Sequence, residues 1–480
     1  MIAAIALDLG STAIKAGVLD TQGNLGGIVS LPAPPVAVDD GHYESDALAY
    51  ADTADQVLQS CLVKSGLVKS GLVKSGLAQT QALPPLGLCS QRSSFLIWEQ
   101  ASGKPFTPLI SWQDTRGDES CLALQAQEAL ITELSGLRLT PYFFAPKLRV
   151  VLQKNPAWLA RLQRGELLAG TLDTFLIWRW TAGRHHVTDV SMAARTLLMD
   201  IHQQQWSPVL GELFGIPLGI LPALKPSTAL NIALNNGLTL QASLADQSAA
   251  LVASVGNDRD TALVNLGTGG FVIRYLAENN LATGGYLRTL VYQDGVLPAH
   301  IALEGTLNSI AAALAPYPAR DCSVDELAAE HEIFCLAEPS GLGAPYFRKD
   351  LGLQFSQPMA SLTQKQIACL LLEAIIFRVV RIVEDFHRNA PVKRVYLAGG
   401  LSELVCLQQG IAQCLSQNVF RLQQKDASLQ GAAMLAAGQK IASHQEAIFV
   451  EKLNNNNKLF EKYSRWKQWF DALLETGANH

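Results

Sequence analysis

Two short turns in the sequence combine glycine with hydroxyl side chains, and each joins apolar segments that predict strands. The first turn is Asp8-Leu9-Gly10-Ser11-Thr12, and the second is Gly267-Thr268-Gly269-Gly270. Backbone N–H groups and hydroxyls in such turns can surround a phosphate group. One turn alone is equally typical of an ordinary hairpin, but one in each half of the chain predicts a nucleotide clamped between two related lobes.

Two charged residues accompany the first turn. Asp8 ends the first predicted strand, and its carboxylate can hold Mg²⁺ through water, because Mg²⁺ keeps much of its hydration shell in proteins. Lys15 follows in the second strand and adds a positive charge that would favour phosphate. The sequence therefore predicts a phosphate and magnesium site around this turn.

Asp246 lies between an apolar strand and a predicted helix, and two interpretations of it are open. Aspartate is a favoured N-cap residue, which would give it a purely structural role. Phosphoryl transfer to an alcohol needs a carboxylate that accepts the hydroxyl proton, which would make Asp246 a catalytic base. The local sequence favours neither interpretation.

Two further segments carry the same ambiguity. Gly399-Gly400, after the predicted strand Val395–Ala398, is either a simple turn or the place where bare backbone meets the flat face of an adenine. Trp112, Asp114 and Arg116 combine an aromatic ring with a charged pair. They form either a surface ion pair or a polyol pocket, in which charges meet hydroxyls and the ring meets C–H groups.

The composition of the chain excludes several classes of protein. Of 480 residues, 49% are apolar and 16% are charged, with a net charge of −5, so neither a disordered chain nor a nucleic-acid partner is expected. A membrane partner is not expected either, because no run of 18 apolar residues occurs. The eight cysteines are scattered and no basic signal segment precedes them, which predicts buried thiols in the cytoplasm.

Two segments outside the predicted turns also have a clear pattern. The pentapeptide Leu-Val-Lys-Ser-Gly occurs three times over residues 62–76, and its period matches no structural repeat, so we interpret it as a duplicated surface linker. After a polar linker at Asn454–Asn457, aromatic residues recur with helical spacing from Phe460 to Phe470. Such a stripe predicts a helix packed on the body of the protein.

These segments, in this order, resemble the FGGY family of carbohydrate kinases, within the actin-like, sugar-kinase fold superfamily. The resemblance covers nearly the whole chain, and within the family it is closest to the pattern of the glycerol kinases. The segments that carry it are Gln91-Arg92, Trp98-Glu99, Gly103-Lys104-Pro105, Trp112-Gln113, Thr171–Thr174, His186–Asp189, Ala194-Arg195-Thr196, Gly341–Tyr346 and Tyr463–Trp469.

The resemblance implies an α/β fold of two actin-like, ribonuclease H-like lobes with a nucleotide and substrate cleft between them. Residues 1–250 would form the N-terminal lobe, residues 251–440 the C-terminal lobe, and residues 441–480 a helical tail docked on the body. The implied cofactors are ATP and Mg²⁺. The implied site consists of Asp246 as catalytic base; Asp8 for the metal; Ser11, Thr12, Lys15, Gly267, Thr268, Gly399 and Gly400 for ATP; and Arg92, Ser93, Trp112, Asp114, Tyr142, Asp246 and Phe271 for the substrate.

One departure from the family pattern bears on the substrate. Ser93 stands where the glycerol kinases have a glutamate that binds substrate hydroxyls, and a serine reaches less far and leaves more room. The sequence therefore predicts ATP-dependent phosphorylation of a small polyol or sugar, without fixing glycerol. A kinase of a ketopentose such as ribulose or xylulose, a non-catalytic nucleotide-binding protein of the same fold and a hydrolase are the alternatives. A homodimer or homotetramer is left open.

Overall fold

The computed structural model describes residues 1–68, 83–276, 284–330, 332–423, 425–439, 447–452 and 457–476. The chain forms two compact units. The first consists of Met1–Gly256, Arg288–Ile301 and Asp426–Ser443, and the second consists of Asn257–Leu287, Ala302–Lys425 and His444–His480. Within the described part of the chain, no helix combines the length and the apolar content needed to span a bilayer.

Residues 1–256 contain short strands and helices in alternation. The strands are β1 (Ile2–Leu9), β2 (Ala13–Asp20), β3 (Leu25–Pro32), β4 (Ala37–Asp39), β5 (His42–Ser45), β6 (Leu86–Ser90), β7 (Phe95–Glu99), β8 (Leu109–Ile110), β9 (Leu167–Thr171), β10 (Val187–Asp189), β11 (Met199–Asp200), β12 (Gln205–Trp206), β13 (Ala223–Lys225), β14 (Ile232–Ala233) and β15 (Thr239–Ala245). The helices are α1 (Ala47–Lys64), α2 (Asp118–Ala123), α3 (Glu128–Ser135), α4 (Phe144–Lys154), α5 (Pro156–Gln163), α6 (Leu172–Trp180), α7 (Val190–Ala193), α8 (Pro208–Phe214) and α9 (Asp246–Val255).

The rest of the chain continues the same alternation. Its strands are β16 (Thr261–Leu266), β17 (Gly270–Tyr275), β18 (Leu287–Tyr292), β19 (His300–Leu307), β20 (Cys335–Leu336), β21 (Gln354–Phe355), β22 (Arg394–Ala398), β23 (Asn418–Leu422) and β24 (Ala447–Phe449). Its helices are α10 (Ile310–Leu314), α11 (Gln364–Asn389), α12 (Val405–Cys414), α13 (Ala427–Ala437) and α14 (Lys458–Thr476).

The main sheet of the first unit has the strand order β14-β15-β6-β1-β2-β3. β1, β2 and β3 form an antiparallel meander, whereas β6 and β15 run parallel to β1. β1 and β6 are almost wholly apolar, because helices cover both faces of such a sheet and the strands need no polar side. The predicted strands at Ile2–Leu7 and Ile14–Leu19 are confirmed, with slightly wider bounds.

Helix α13 packs on this sheet through two glycines. A Cβ atom at Gly87 of β6 would lie 2.1 Å from the carbonyl oxygen of Ala432, and one at Gly431 would lie 1.9 Å from that of Ala249. Backbone therefore touches backbone between β6, α13 and α9. This packing places Asp426–Ser443 in the first compact unit. The predicted lobe boundaries at residues 250 and 440 stay a prediction.

The main sheet of the second unit repeats the topology of the first. β16, β17 and β19 are antiparallel neighbours, and β22 and β23 continue the sheet parallel to β16 on its other side. The long helix α11 begins with a capping box at Thr363 and Gln366, and its apolar residues are buried along most of its length. An antiparallel meander followed by parallel strands is the arrangement that the predicted actin-like fold requires.

Helix α14 packs within the second unit through its aromatic stripe. Tyr463, Trp466 and Phe470 are buried, and the indole N–H of Trp466 donates to the carbonyl of Cys335 over 3.0 Å. Lys462 of the same helix is fully buried and forms an ion pair of 2.5 Å with Glu373 of α11. The aromatic spacing therefore marks the buried face of a packed helix.

Two sequence-based expectations differ from the structure. The single helix predicted over Glu119–Leu134 is divided into α2, a short 3₁₀ turn and α3. The first copy of the pentapeptide repeat, predicted to be a linker, begins inside α1, which ends at Lys64. Most of the second copy and the whole third copy lie outside the described residues, as does most of the polar linker Asn454–Asn457.

The buried ion pair of α14 leads to a prediction about stability. Lys462→Met would leave the carboxylate of Glu373 buried without its cation, which typically costs about 3–5 kcal/mol. Lys467→Met is the matched control. Lys467 is also on α14 and pairs with Glu384 of α11, but this pair is partly exposed. Its loss should therefore cost less than about 1 kcal/mol. Urea unfolding followed by tryptophan fluorescence measures both variants, and equal losses would contradict the prediction.

Candidate active site

The carboxyl ends of three neighbouring parallel strands of the first unit bring two aspartates to the same edge of the sheet. Asp8 of β1 is in register with Cys89 of β6, and Cys89 is in register with Leu244 of β15. Asp246 follows two residues later as the first residue of α9. Burial is the main cause of the raised pKa of Asp8, and repulsion from the carboxylate of Asp246 raises it further. Such repulsion requires the two carboxylates to lie close together.

The carboxylate of Asp8 has one engaged and one unengaged oxygen. Its Oδ2 accepts a hydrogen bond of 2.6 Å from the hydroxyl of Ser428, at the start of α13. Its Oδ1 is buried and has no hydrogen-bond partner among the described residues. Burial raises the pKa of Asp8 to about 6, with a further contribution from Asp246 and an opposing one from Ser428. A buried carboxylate oxygen without a protein partner is free to bind a ligand.

A magnesium ion fits these residues. Mg²⁺ takes oxygen ligands, keeps several waters and is commonly held by one or two carboxylates together with substrate phosphates. Oδ1 of Asp8 offers one such oxygen, directly or through water. The described residues contain no cluster of three or more histidine, cysteine, aspartate or glutamate side chains suited to a metal.

The first phosphate turn has the predicted shape, but its lysine is already paired. Ser11 and Thr12 are exposed between β1 and β2. Lys15 lies beside Asp8 in the β1–β2 ladder, yet its Nζ forms an ion pair of 2.6 Å with Asp426. The role of Lys15 in binding phosphate stays a prediction, and in the structure Asp426 already pairs with this lysine.

Asp246 does not act as a helix cap. The N-cap of α9 is Ala245, and no side chain caps this helix. The Oδ1 of Asp246 accepts from the adjacent N–H of Gln247 over 2.7 Å and lies 3.9 Å from Nε of Arg92. The side chain is 30% exposed, and desolvation raises its pKa, opposed by Arg92 and the N–H of Gln247. The structural interpretation of Asp246 is thereby weakened, because capping is not its function.

A chain of hydrogen bonds connects the turn beside Asp8 to the loops that carry Arg92 and Trp112. The hydroxyl of Tyr50 donates to the carbonyl of Gly10 and accepts from the amide of Gln91, over 2.7 and 3.3 Å. The hydroxyl of Ser94 donates to the Gln91 side chain over 2.9 Å and accepts from the N–H of Trp112 over 2.9 Å. These buried links fix the three loops relative to one another.

Ser93 does not present its hydroxyl as a free binding group. The residue is buried and has a φ of +63°, a conformation that is rare outside glycine. Its hydroxyl donates to the carbonyl of Arg195 over 3.0 Å, and its own carbonyl accepts from Lys147. The substrate contact predicted for Ser93 stays a prediction, and in the structure its hydroxyl links two loops.

Asp114 is likewise a structural residue. It is fully buried, and its two oxygens accept from the guanidinium and the N–H of Arg116 and from the N–H of Tyr43, over 2.7–3.0 Å. Although burial raises its pKa, these bonds lower it overall. Arg116 continues to Glu44 over 2.6 Å. The substrate-binding role of Asp114 stays a prediction, and its ion pair with the partly buried Arg116 is not a surface ion pair.

Lys147 supports the same loops and escaped sequence-based detection. Its ammonium group is fully buried and donates to the carbonyls of Ser93 and Ser111, over 3.0 and 2.7 Å. Burial lowers its pKa to about 7, since no carboxylate is bonded to it. A lysine in an amphipathic helix such as α4 gives no local sign that its side chain points inward.

The remaining substrate residues have different exposures. The side chains of Trp112 and Tyr142, in the first unit, are 41% and 47% exposed, which leaves both rings accessible. Arg92 is partly buried and its guanidinium also bonds to the side chain of Gln247. Phe271 belongs to the second unit, where it lies half-buried on β17 opposite Asn265. Among the predicted substrate residues of the first unit, Arg92 and Asp246 form an ion pair.

The glycine segments of the second unit meet at one edge of its sheet. Gly267 follows β16 and Gly399 follows β22, and these parallel strands are paired as far as Asn265 and Ala398. Gly399 has a φ of +85°, and a Cβ atom there would lie 2.4 Å from the carbonyl of Leu266. Only glycine fits this position. Space around Gly400 is open, since a Cβ atom there would meet no atom within 4 Å.

The turn itself is held by its neighbours. The N–H of Gly267 donates to the carbonyl of Gly269 over 2.8 Å, and the carbonyl of Thr268 accepts from the N–H of Ala311 over 3.1 Å. The Thr268 side chain is exposed. A glycine turn with an exposed hydroxyl therefore lies beside open backbone at Gly400, and the binding of a nucleotide by these residues stays a prediction.

The carboxyl of Asp8 leads to a prediction about pH. Its pKa is about 6 in the folded protein against 3.8 in the unfolded chain, so its contribution to stability is lost as the pH rises from about 4 to about 6. Asp8→Asn removes this titration. We expect the variant to be more stable than the natural protein at pH 8 by about 1–2 kcal/mol, less than the full shift implies because the side chain is partly exposed.

The measurement is urea unfolding at pH 4, 6 and 8. The advantage of Asp8→Asn should appear between pH 4 and pH 6 and then stay constant. Asp46→Asn, which removes one exposed carboxylate from the first unit and keeps a capping side chain, is the control for the loss of a charge. A gain that is the same at all three pH values would show that Asp8 is not buried as described.

Comparison with known proteins identifies a family for both halves of the chain. The chain matches the family model "FGGY family of carbohydrate kinases, N-terminal domain" over residues 3–265 and the corresponding C-terminal model over residues 262–439. It is 31% identical to an apulose kinase of Pectobacterium atrosepticum, with 96% of each chain covered. It is 32% identical to a glycerol kinase of Alkalilimnicola ehrlichii, with 91% of this chain and 90% of the relative covered.

Solved structures show the same fold at lower identity. A glycerol kinase of Plasmodium falciparum with ADP has a TM-score of 0.82 at 21% identity, with 99% of each chain covered. A xyloylose kinase from Brucella ovis has a TM-score of 0.82 at 20% identity, with 98% of each chain covered. The predicted α/β, actin-like fold is confirmed. The chain therefore belongs to the FGGY family of carbohydrate kinases, enzymes that transfer a phosphoryl group from ATP to a hydroxyl of a sugar or polyol.

Proposed function

We propose that this kinase phosphorylates a small polyol or sugar, with Asp246 as the base that accepts the proton of the attacking hydroxyl. One observation carries the proposal. Asp246 lies beside Asp8 at the edge of the sheet, with its Oδ1 3.9 Å from Nε of Arg92, and its side chain does not cap α9. A partly exposed carboxylate whose pKa is raised by burial is a suitable proton acceptor near neutral pH.

The residues of the first unit divide the work as follows. Arg92 orients the carboxylate of Asp246 and binds a substrate hydroxyl, and the exposed rings of Trp112 and Tyr142 contact the C–H groups of the substrate. The proton passes to Oδ2 of Asp246, because Oδ1 already accepts from Gln247. Ser93 acts through its backbone position rather than its hydroxyl.

The nucleotide segments complete the proposal. ATP supplies the phosphoryl group and Mg²⁺ reduces the negative charge of the phosphates when both are bound. We propose that Asp8 holds the metal through Oδ1, that Ser11, Thr12, Gly267 and Thr268 bind phosphate groups, and that Gly399 and Gly400 accept the adenosine. Lys15 contributes only in so far as phosphate displaces Asp426 from it. The seven buried cysteines are single thiols, which is consistent with the predicted cytoplasmic location.

The acceptor is the least constrained part of the proposal. No carboxylate other than Asp246 is offered by the predicted substrate residues, since Asp114 is buried and saturated and Ser93 replaces a glutamate. A pocket with fewer side chains that accept hydrogen bonds from substrate hydroxyls, and with more room, favours substrates larger than glycerol. Apulose, which the name of one relative contains, is therefore a candidate together with xylulose, ribulose and erythritol.

The function predicts a pattern of ADP release. Purified protein with ATP and Mg²⁺ is tested with glycerol, apulose, xylulose, ribulose, erythritol and no acceptor. We expect release that depends on the acceptor, with a sugar or larger polyol giving a kcat/KM at least tenfold above that for glycerol. Release without any acceptor would indicate a hydrolase, and no release with any of them would indicate a nucleotide-binding protein without turnover.

The role of Asp246 is tested with Asp246→Asn. Loss of the proton acceptor should reduce kcat by at least 10²–10⁴-fold, while the dissociation constant for ATP, measured by calorimetry, changes less than threefold. Asp46→Asn is the matched control, because Asp46 also stands at a helix start but caps it, and its activity should be unaffected. Near-normal turnover of Asp246→Asn would refute the assignment.

A further inference from the structure

A buried aspartate of the first unit collects four hydrogen bonds close to the proposed base. Asp189 is the N-cap of α7 and accepts from the N–H groups of Ser191 and Met192 over 3.0 and 2.9 Å. It also accepts from the hydroxyls of Ser191 and Ser227 over 3.0 and 2.5 Å. Asp189, Ser191 and Ser227 are all buried, so water cannot replace these bonds.

The hydroxyl of Ser191 continues from Asp189 to the residue before the base. It accepts a hydrogen bond of 2.8 Å from the N–H of Ala245, the last residue of β15. Because that hydroxyl donates its hydrogen to Asp189, its lone pairs face Ala245 in a fixed direction. The path from Asp189 through Ser191 to Ala245 therefore ends one peptide bond before Asp246.

This contact replaces a missing strand neighbour. β14 pairs with β15 only at Thr239 and Leu240, so among the described residues no strand pairs with the second half of β15 on that side. The N–H of Ser243 donates to the carbonyl of Ser227 over 2.9 Å, and the N–H of Ala245 donates to Ser191. A buried N–H without a partner is costly, so these two acceptors determine where β15 ends.

The same short segment reaches the loop that carries Arg92. The carbonyl of Arg195, just after α7, accepts from the hydroxyl of Ser93 over 3.0 Å. Asp246 and Arg92, 3.9 Å apart, are thus each adjacent in sequence to a residue bonded to the segment 189–195. Their separation depends on that segment as well as on the pairing of β6 with β15.

We propose that Ser191, oriented by Asp189, is a positioning residue that fixes the end of β15 and thereby the carboxylate of Asp246 against Arg92. The inference rests on the proposed role of Asp246 as base. Ser191 touches neither substrate nor nucleotide in this assignment. Its loss should slow proton removal, and therefore phosphoryl transfer, without changing the affinity for ATP.

The chain offers two matched serines that separate positioning from stability. Ser227→Ala removes a hydrogen bond to the same Asp189, but the carbonyl that supports Ser243 belongs to its backbone and remains. Ser243→Ala removes a buried hydroxyl of β15 that has no hydrogen-bond partner among the described residues. Ser191→Ala alone deprives the N–H of Ala245 of its acceptor.

The test compares the three variants by the single-turnover rate of phosphoryl transfer, the dissociation constant for ATP and the thermal midpoint, with the acceptor that the panel identifies. We expect Ser191→Ala to lower the transfer rate about 10- to 100-fold with ATP affinity changed less than twofold. Ser227→Ala should lose a comparable amount of thermal stability but less than threefold in rate, and Ser243→Ala should lose neither. Equal rate losses for Ser191→Ala and Ser227→Ala, or none for Ser191→Ala, would overturn the inference.

Two additions make the outcome unambiguous. If Ser191→Ala does not fold, Asp189→Asn takes its place. Its amide N–H would face the Ser191 hydroxyl and turn that hydroxyl away, while an oxygen stays near the N–H of Ala245. A rate loss with unchanged ATP affinity supports the inference, and an unchanged rate overturns it. Asp246→Asn is measured in parallel. If that variant keeps its turnover, the proposed base is wrong; if it loses turnover while the serines behave alike, only the positioning role is wrong.

Discussion

The pairing of β1, β6 and β15 is the constraint on which the first unit depends. Parallel strands in register end together, so Asp8 and the residue that follows Ala245 reach the same edge of the sheet. Both carboxylates then lie where burial and mutual repulsion raise the pKa of Asp8. The arrangement opposes stability, because burial and repulsion both disfavour the charged form of Asp8.

Helix α13 approaches the sheet closely because two positions at the contact lack side chains. Gly87 and Gly431 let α13 lie directly on β6 and α9, and the start of that helix supplies Ser428 to Asp8 and Asp426 to Lys15. A larger residue at either glycine would move the helix and with it the two side chains that complete the edge. Packing and electrostatics at this site are therefore one property.

Much of this could be predicted from the sequence, because the signals are local. Apolar runs broken by glycine turns predict the strands and both phosphate segments, and Asp246 stands out at a strand–helix junction. Other contacts are not local. Lys15 pairs with Asp426, 411 residues away, and Asp114, besides its pair with Arg116, accepts from a backbone N–H 71 residues away. No local pattern reports such contacts, and the inward orientation of Lys147 is equally hidden.

The chain has few charges, and several of them are buried. Arg378 pairs with Glu338, Lys462 pairs with Glu373, and Lys147 donates to backbone carbonyls alone. Glu338 in turn accepts the N–H groups of two loop residues, so its burial organises backbone rather than merely satisfying a cation. Buried charges of this kind seldom add net stability, because desolvation offsets the attraction between them. Their consistent placement beneath loops, and the parallel use of Asp189 beneath β15, indicates that the chain uses buried polarity to hold irregular backbone in one conformation.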